Sequence, residues 1–150
     1  MDSKGESSTV LFVDDDEILY RAGTRRTAAQ AKRFSGNPVI RGAATPWEGW
    51  LGWCSVHHDT STGEYRLWYQ SYKKKPSSDP LSSVVCVATS KDGNNWRRPN
   101  LHHHLFEEAP TNIVIAGNRG YSHRYSCSVI EDPLRTFDDR FIMAYYDFGR

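Results

Sequence analysis

Residues 54–72 read CSVHHDTSTGEYRLWYQSY, and residues 127–148 read CSVIEDPLRTFDDRFIMAYYDF. The two stretches share their first three residues and an aspartate, which is Asp59 in the first and Asp132 in the second. After a turn of unequal length their aromatic halves also correspond, in the pairs Tyr65 and Phe141, Leu67 and Met143, and Tyr69 and Tyr145. The stretches are therefore copies of one unit, with a period of roughly 73–76 residues. A strand, an Asp-led turn and a second, aromatic strand predict a β-hairpin in each copy.

Short β-rich runs dominate the rest of the chain as well. They are separated by turns rich in Gly, Asn, Asp and Pro, and they cover residues 8–13, 37–41, 53–59, 64–72, 82–90, 111–117, 124–132 and 140–148. The one helical candidate, 24–34, lacks an apolar face wide enough to dock well. Many short strands with almost no helix predict all-β architecture.

Two further strand-like segments lie between the hairpin copies, namely 82–90 and either 95–101 or 111–116. A unit of about four antiparallel strands has the size of a β-propeller blade. We therefore expect about one and a half blades. Residues 1–45 would form lead-in strands, 46–117 the first full blade, and 118–150 the start of the next.

Propellers typically close with about four to eight blades. The chain is therefore expected to be the N-terminal part of a longer propeller, truncated at its C-terminus. A blade without neighbours leaves an apolar face uncovered, which predicts marginal stability or aggregation of the fragment in isolation.

Composition and charge narrow the possible partners. The chain carries 19 basic and 18 acidic residues, a net charge of +1, and this balance predicts no nucleic-acid partner and no attraction to an acidic membrane. Aromatic residues make up 13% of the chain, a share that suits strands and binding sites for flat ligands such as sugars. No apolar run approaches a membrane span, and the N-terminus does not read as a signal peptide, so a cytoplasmic location is the default expectation.

The three cysteines, Cys54, Cys86 and Cys127, are odd in number and widely spaced. Such a set argues against a disulfide framework or a four-cysteine zinc site. Each lies in a strand-like run, and we expect three buried free thiols.

The order of several motifs resembles the five-bladed β-propeller glycoside hydrolases, meaning the invertase-like and arabinanase- or xylosidase-like groups and their bacterial relatives. The matching pieces are LFVDDDEI (11–18), NPVI (37–40) with PWEG (46–49), SVHHDTSTGEYRLWYQSY (55–72), ATSKDGNNWRRPNL (88–101), TNIVI (111–115) and SVIEDP with RFIMAYY (128–146). The resemblance implies an all-β, partial five-bladed β-propeller that acts on an oligo- or polysaccharide without a cofactor. It implies a glycoside hydrolase at full length. A glycan-binding propeller without turnover is the alternative, and a structural or protein-interaction propeller is the third reading; the oligomeric state stays open.

Glycoside hydrolysis needs two carboxyl groups across the scissile bond. The resemblance implies that they come from the innermost strands of different blades, here 53–58 and 125–131. Glu48 just precedes the first of these strands, between Trp47 and Trp50, and aromatic surroundings would raise the pKa of its carboxyl group as an acid catalyst requires. Trp47 and Trp50 would stack on sugar rings. The alternative is a solvated loop glutamate beside tryptophans that pack between blades. Because a second carboxylate is missing, the fragment alone is expected to be inactive.

His123 and Arg124 occupy the corresponding entrance to the second innermost strand. They could donate hydrogen bonds to sugar hydroxyls or to a uronate, or they could form a polar network between blades.

Two aspartates are weaker catalytic candidates. Asp132 resembles the Asp of the Arg-Asp-Pro element of invertase-like enzymes, but Glu131 stands in place of the Arg, and an Asp at the start of a turn commonly binds its own backbone. Asp14 lies where related propellers can carry a nucleophile, although an Asp-rich turn explains it equally.

Two conspicuous stretches are read as structural. Residues 102–104 are three histidines, but neighbouring side chains on an extended segment point in opposite directions, so we expect a solvated loop and no metal. In residues 88–101, Asp92 and Gly93 predict a turn, and Trp96 is expected to wedge between blade layers far from the propeller axis.

Overall fold

A computed structural model of the chain describes residues 18–25, 27–72, 83–116, 123–136 and 139–148. It divides into two units, residues 1–33 and 34–150. The described part of the first unit has no regular secondary structure and is mostly exposed. Eight strands lie in the described part of the second unit: β1 (Trp50–Asp59), β2 (Glu64–Tyr72), β3 (Ser83–Ser90), β4 (Leu101–Phe106), β5 (Ala109–Thr111), β6 (Ile113–Ile115), β7 (His123–Glu131) and β8 (Phe141–Phe148).

The predicted all-β class is confirmed, because the described residues form strands, turns and irregular segments without a helix. Their strands make three antiparallel sheets: a four-stranded sheet in the order β1-β2-β3-β6, and the separate pairs β4-β5 and β7-β8. None of these residues forms a helix that is long and apolar enough to cross a membrane.

The four-stranded sheet is apolar on both faces. Side chains alternate between the faces of a strand, and two buried clusters follow this alternation. The Leu67 face contains Leu67, Tyr69, Val84, Cys86 and Ala88, whereas the Trp68 face contains Trp68, Val85 and Val87. β3 is therefore a nearly continuous apolar run, as expected of a strand with both faces covered.

The two hairpin copies have the same register, which confirms the repeat predicted from the sequence. In the first hairpin Val56 lies opposite Leu67, and in the second the corresponding Val129 lies opposite Met143. The turn after β1 is closed by Asp59, whose side chain accepts the backbone N–H of Ser61 at 3.0 Å. Local pairing and turn chemistry thus dictate both hairpins.

The β7-β8 hairpin packs on the Trp68 face of the four-stranded sheet. Its side chains in this contact are Cys127, Val129, Phe141 and Met143. Ion pairs stabilise the contact at the turn ends of the two hairpins, where Arg140 binds both Asp59 (2.7 Å) and Glu131 (3.0 Å). The hydrogen bond from the Ser61 side chain, followed by that from Arg140, lowers the pKa of the Asp59 carboxyl group.

β1 and β7 run beside each other at the seam between the two sheets. The Ser55 hydroxyl donates to the carbonyl of Val129 (3.2 Å) and accepts from its backbone N–H (3.0 Å). Two residues earlier on each strand, the Cys127 thiol donates to the carbonyl of Trp53 (3.0 Å). Each of these pairs is separated by 74 residues, nearly the repeat period, so corresponding strands of the two copies are direct neighbours.

Three expectations from the sequence are wrong. Residues 37–41 form turns and bends because they have no strand partner, although Ile40 still packs against the core. Residues 102–104 lie on β4 and not in a loop, since Leu101–Phe106 pairs with β5. Cys54 is exposed while Cys86 and Cys127 are buried, because the residues that cover the Leu67 face leave this end of it open. The predicted strand 8–13 lies outside the described residues.

Candidate functional site

Three aromatic side chains cluster at the end of the first hairpin where β1 begins. Trp50 lies opposite Tyr72 in the strand register, and their ring centroids are 6.3 Å apart. Trp53 contacts the same Tyr72 ring at 6.4 Å. The side chains of Trp50 and Trp53 are 61% and 49% exposed. We call these three residues the aromatic platform.

A β-bulge presents Trp53 in the platform. The register between β1 and β2 shifts between Gly52 and Cys54, so Trp53 is the extra residue on β1. Its φ angle is +39°, in the left-handed region that a bulky side chain rarely adopts. Bulges re-aim side chains and are common beside binding sites, and a strained backbone at an exposed tryptophan points to a function beyond packing.

The second hairpin carries its own register shift at the matching place. The shift lies between Tyr125 and Ser128 on β7, which corresponds to 52–55 on β1 in the repeat. Both copies of the repeat therefore contain the bulge, but only the first copy has a tryptophan there.

Glu48 lies behind β1 with its carboxylate completely buried. Arg98 donates from Nε to Oε1 at 2.7 Å and from Nη2 to Oε2 at 2.9 Å, a two-point ion pair. Tyr69 donates its hydroxyl to the same Oε1 at 2.5 Å. Arg98 also donates to the carbonyl of Arg41 at 2.7 Å. Together these bonds use both oxygens of the Glu48 carboxylate.

The buried network continues from Tyr69 into the core. The Asn112 amide donates to the Tyr69 hydroxyl and to the carbonyl of Val87, both at 2.8 Å. Trp47 donates its indole N–H to the Asn112 side-chain oxygen at 2.8 Å. Burial raises the pKa of Tyr69, and the neighbouring Glu48 carboxylate raises it further. The network gives these polar groups hydrogen-bond partners inside the protein, away from solvent.

The surroundings of Glu48 differ from those expected of a general acid. The sequence placed it among aromatic rings, which would favour a protonated carboxyl group, whereas the structure gives it a guanidinium and a phenol as partners. Trp47 is half-buried, packs against the core cluster and lies 5.9 Å from Phe106. Of the two tryptophans beside Glu48, only Trp50 presents its ring to solvent.

The other sequence-predicted site residues fall in three places. His123 and Arg124 begin β7, beside the start of β1, and only their backbone is described. Asp132 follows β7 and accepts the backbone N–H of Leu134 at 3.0 Å, so it closes the β7-β8 turn as Asp59 closes the first. Asp14 lies outside the described residues.

The turn after β3 is organised by Asp92. Its Oδ1 accepts the backbone N–H groups of Asn94 (2.8 Å) and Asn95 (2.7 Å), and Asn95 also donates from its side chain to Oδ2 at 2.7 Å. These bonds, with the Asn95 backbone first, lower the pKa of Asp92. Gly93 takes a φ of +72°, which the turn requires. The predicted turn is confirmed.

Trp96 is bonded back to the same turn. Its indole donates to the carbonyl of Gly93 at 2.9 Å, and the ring packs against the core cluster of the Leu67 face and lines one groove with Cys54 and Val56. The expected wedge between blade layers stays a prediction.

Sequence reasoning missed Trp53, Tyr72 and Arg98. Trp53 and Tyr72 could have been found from the register, because a hairpin closed by Asp59 brings the start of β1 to the end of β2. Arg98 had no local signal, since it lies 50 residues from Glu48. No group of three or more metal-ligating side chains converges within the part of the chain that the structure describes.

Comparisons of the chain with protein-family models, curated proteins and solved structures find no match. The functional reading therefore depends on the chain's own residues.

Proposed function

We propose that the chain is part of a carbohydrate-binding β-propeller, and that a saccharide stacks on the aromatic platform of Trp50, Trp53 and Tyr72. The single observation that carries the proposal is the pair of exposed tryptophans held against one tyrosine at a strained bulge. Aromatic faces match the apolar C–H faces of sugar rings, and contiguous exposed apolar side chains mark interaction sites.

The surroundings of the platform support a polar ligand. Tyr72 and Trp50 lie at the end of the hairpin where β7 also begins, with His123 and Arg124 as its first residues. The sequence-based prediction that these two residues bind sugar hydroxyls stays part of the proposal. The stacking of one hairpin copy beside the other, with β1 next to β7, is the arrangement that neighbouring propeller blades would have.

Binding is a better proposal than hydrolysis for these residues. A glycosidase needs an acid that can give its proton to the substrate and a second carboxylate across the bond. Glu48 is buried in an ion pair with Arg98 and has no exposed oxygen. The catalytic role of Glu48 remains a prediction for a longer protein, and a glycan-binding module is the function we propose.

The test is calorimetric titration of the chain with a panel of neutral and uronate-containing oligosaccharides. We expect binding to at least one sugar class, and a loss of affinity of about tenfold for Trp53→Ala and for Trp50→Ala, the effect of removing one stacking ring. Tyr20→Ala is the control, because it removes an aromatic side chain that is 83% exposed in the other unit. If no sugar binds, or if both tryptophan variants bind as the wild type does, the proposal is wrong.

A further inference from the structure

Within the part of the chain that the structure describes, an apolar groove is open on the Leu67 face, at the edge of the sheet formed by β1. Its floor is made by side chains of β1 and β2, namely Cys54, Val56, Tyr65 and Leu67, and it is flanked by Ile40 and Trp96. The groove encloses about 350 Å³. Val56 is 56% exposed within it.

The internal repeat shows what kind of surface covers such a groove. The four floor residues correspond, one by one, to Cys127, Val129, Phe141 and Met143 in the second hairpin. Those four residues are the ones that pack on the Trp68 face of the four-stranded sheet. In the second copy, therefore, this surface is an interface, whereas in the first copy the same surface is open.

Among the described residues, the second hairpin presents an exposed face on its other side, which we call the free face. Side chains alternate along a strand, so the neighbours of Val129 on β7 and of Met143 on β8 point away from the four-stranded sheet. They include Ser128, Ile130 and Ala144, all of which are exposed. Ile130 is 62% exposed. This free face corresponds in the repeat to the Trp68 face, the surface that the floor residues of the second copy contact.

We propose that the groove of one chain binds the free face of the β7-β8 hairpin of a second copy of this chain. The contact would repeat between two molecules the packing that already joins the two hairpin copies within one molecule. Val56 of one chain would then lie against Ile130 and Ala144 of the other, as Val129 lies against the Trp68 face.

The proposed contact is head-to-tail. The groove and the free face are different surfaces, so a pair of molecules keeps one unused groove and one unused free face, and such contacts build open chains or rings. The free face is formed by two strands only, which makes the contact small, and small interfaces are weak and depend on concentration. The proposal does not depend on carbohydrate binding, since Trp50 and Tyr72 point to the opposite face of the sheet from Val56.

Sedimentation velocity of the 150-residue chain over a range of concentrations tests the proposal. The wild type is expected to form dimers and larger species as concentration rises. Val56→Asp destroys the groove and Ile130→Asp destroys the free face, so each variant alone should stay monomeric. An equimolar mixture of the two should form a dimer and nothing larger, because only one intact pair of surfaces remains.

Thiol labelling gives a second measurement. Cys54 is exposed in the groove, whereas Cys86 and Cys127 are buried, and burial raises the pKa of Cys127 to about 11, which keeps its thiol unreactive. The labelling of Cys54 by a maleimide should slow as the wild-type concentration rises. In Ile130→Asp the labelling should stay fast at every concentration.

Two controls distinguish this contact from nonspecific association. Leu134→Asp changes a side chain that is 94% exposed in the β7-β8 turn and should associate as the wild type does. Circular dichroism checks that all variants keep the strand signal, which is expected because the substituted side chains are exposed. A wild type that stays monomeric, oligomers that survive both Asp variants, or a mixture that fails to dimerise would each overturn the proposal.

Discussion

Glu48 and Arg98, fifty residues apart in the chain, form a two-point ion pair in which the carboxylate is completely buried and the guanidinium is one-fifth exposed. The hydrogen bond to Glu48 raises the pKa of Arg98 in spite of its burial. The pair ties the segment before β1 to the segment after β3, two regions that share no backbone ladder. It therefore acts as a cross-link on the Leu67 face of the sheet.

Arg98→Gln should destabilise the protein strongly, because it leaves the Glu48 carboxylate buried without its counter-charge. Loss of one partner of a buried pair typically costs about 3–5 kcal/mol. Arg97→Gln is the matched control, since the neighbouring arginine is 75% exposed and its contact to Glu64 is long, at 3.5 Å. An exposed pair is worth about 0–1 kcal/mol. Urea unfolding measures both free energies of unfolding.

Equal effects of the two arginine substitutions would contradict the structural role of the pair. The same variants also address catalysis in a longer protein. A hydrolytic activity that requires Glu48 and tolerates Arg98→Gln would favour the acid role that the sequence suggested.

Ser55→Ala should weaken the seam between the two hairpin copies. The substitution removes the partner of both the N–H and the C=O of Val129, and a buried backbone group without a partner costs about 1–3 kcal/mol. Thermal unfolding should show the loss as a lower melting temperature. Ser128→Ala is the control at the corresponding position of the repeat, where the side chain is exposed; a comparable loss in that variant would rule out the assignment.

Asp92→Asn should flatten the acid limb of the stability profile. The pKa of Asp92 is lowered in the folded state, first by the backbone N–H of Asn95. A lowered pKa means that its stabilising contribution is complete above the unfolded value of about 3.9 and is lost as the pH falls below that value. The free energy of unfolding, measured from pH 6 to pH 2, should fall less steeply in the variant. Parallel profiles would show that Asp92 does not contribute to the acid sensitivity.

The hairpins were predictable from sequence because their determinants are local. Alternating side chains, an aspartate that binds its own turn and a second copy of the same pattern are all visible between 54 and 72 and again between 127 and 148. The register confirms them residue by residue. The histidine-rich strand β4 was not predicted, because its pairing with β5 depends on a turn at Glu107 and Glu108. Both residues have a positive φ, and the turn contains no glycine that would have indicated it in the sequence.

The candidate site was predictable only in part. Trp50 stood out through its neighbours, and its side chain is exposed. Glu48 looked like an isolated carboxylate because the residue that neutralises it, Arg98, comes from a distant loop. Burial likewise depends on which surfaces meet, so Cys54 and Cys127 have matching sequence surroundings and opposite exposure.

The Ser55 hydroxyl also determines how the two sheets end. β1 is an edge strand, and edge strands present free N–H and C=O groups that invite a further strand to join. At Val129 both backbone groups are taken by a side chain and not by a neighbouring backbone. The two sheets touch there without forming one ladder. A single serine hydroxyl thus occupies, at the point where the two copies meet, both backbone groups with which a further strand could have paired.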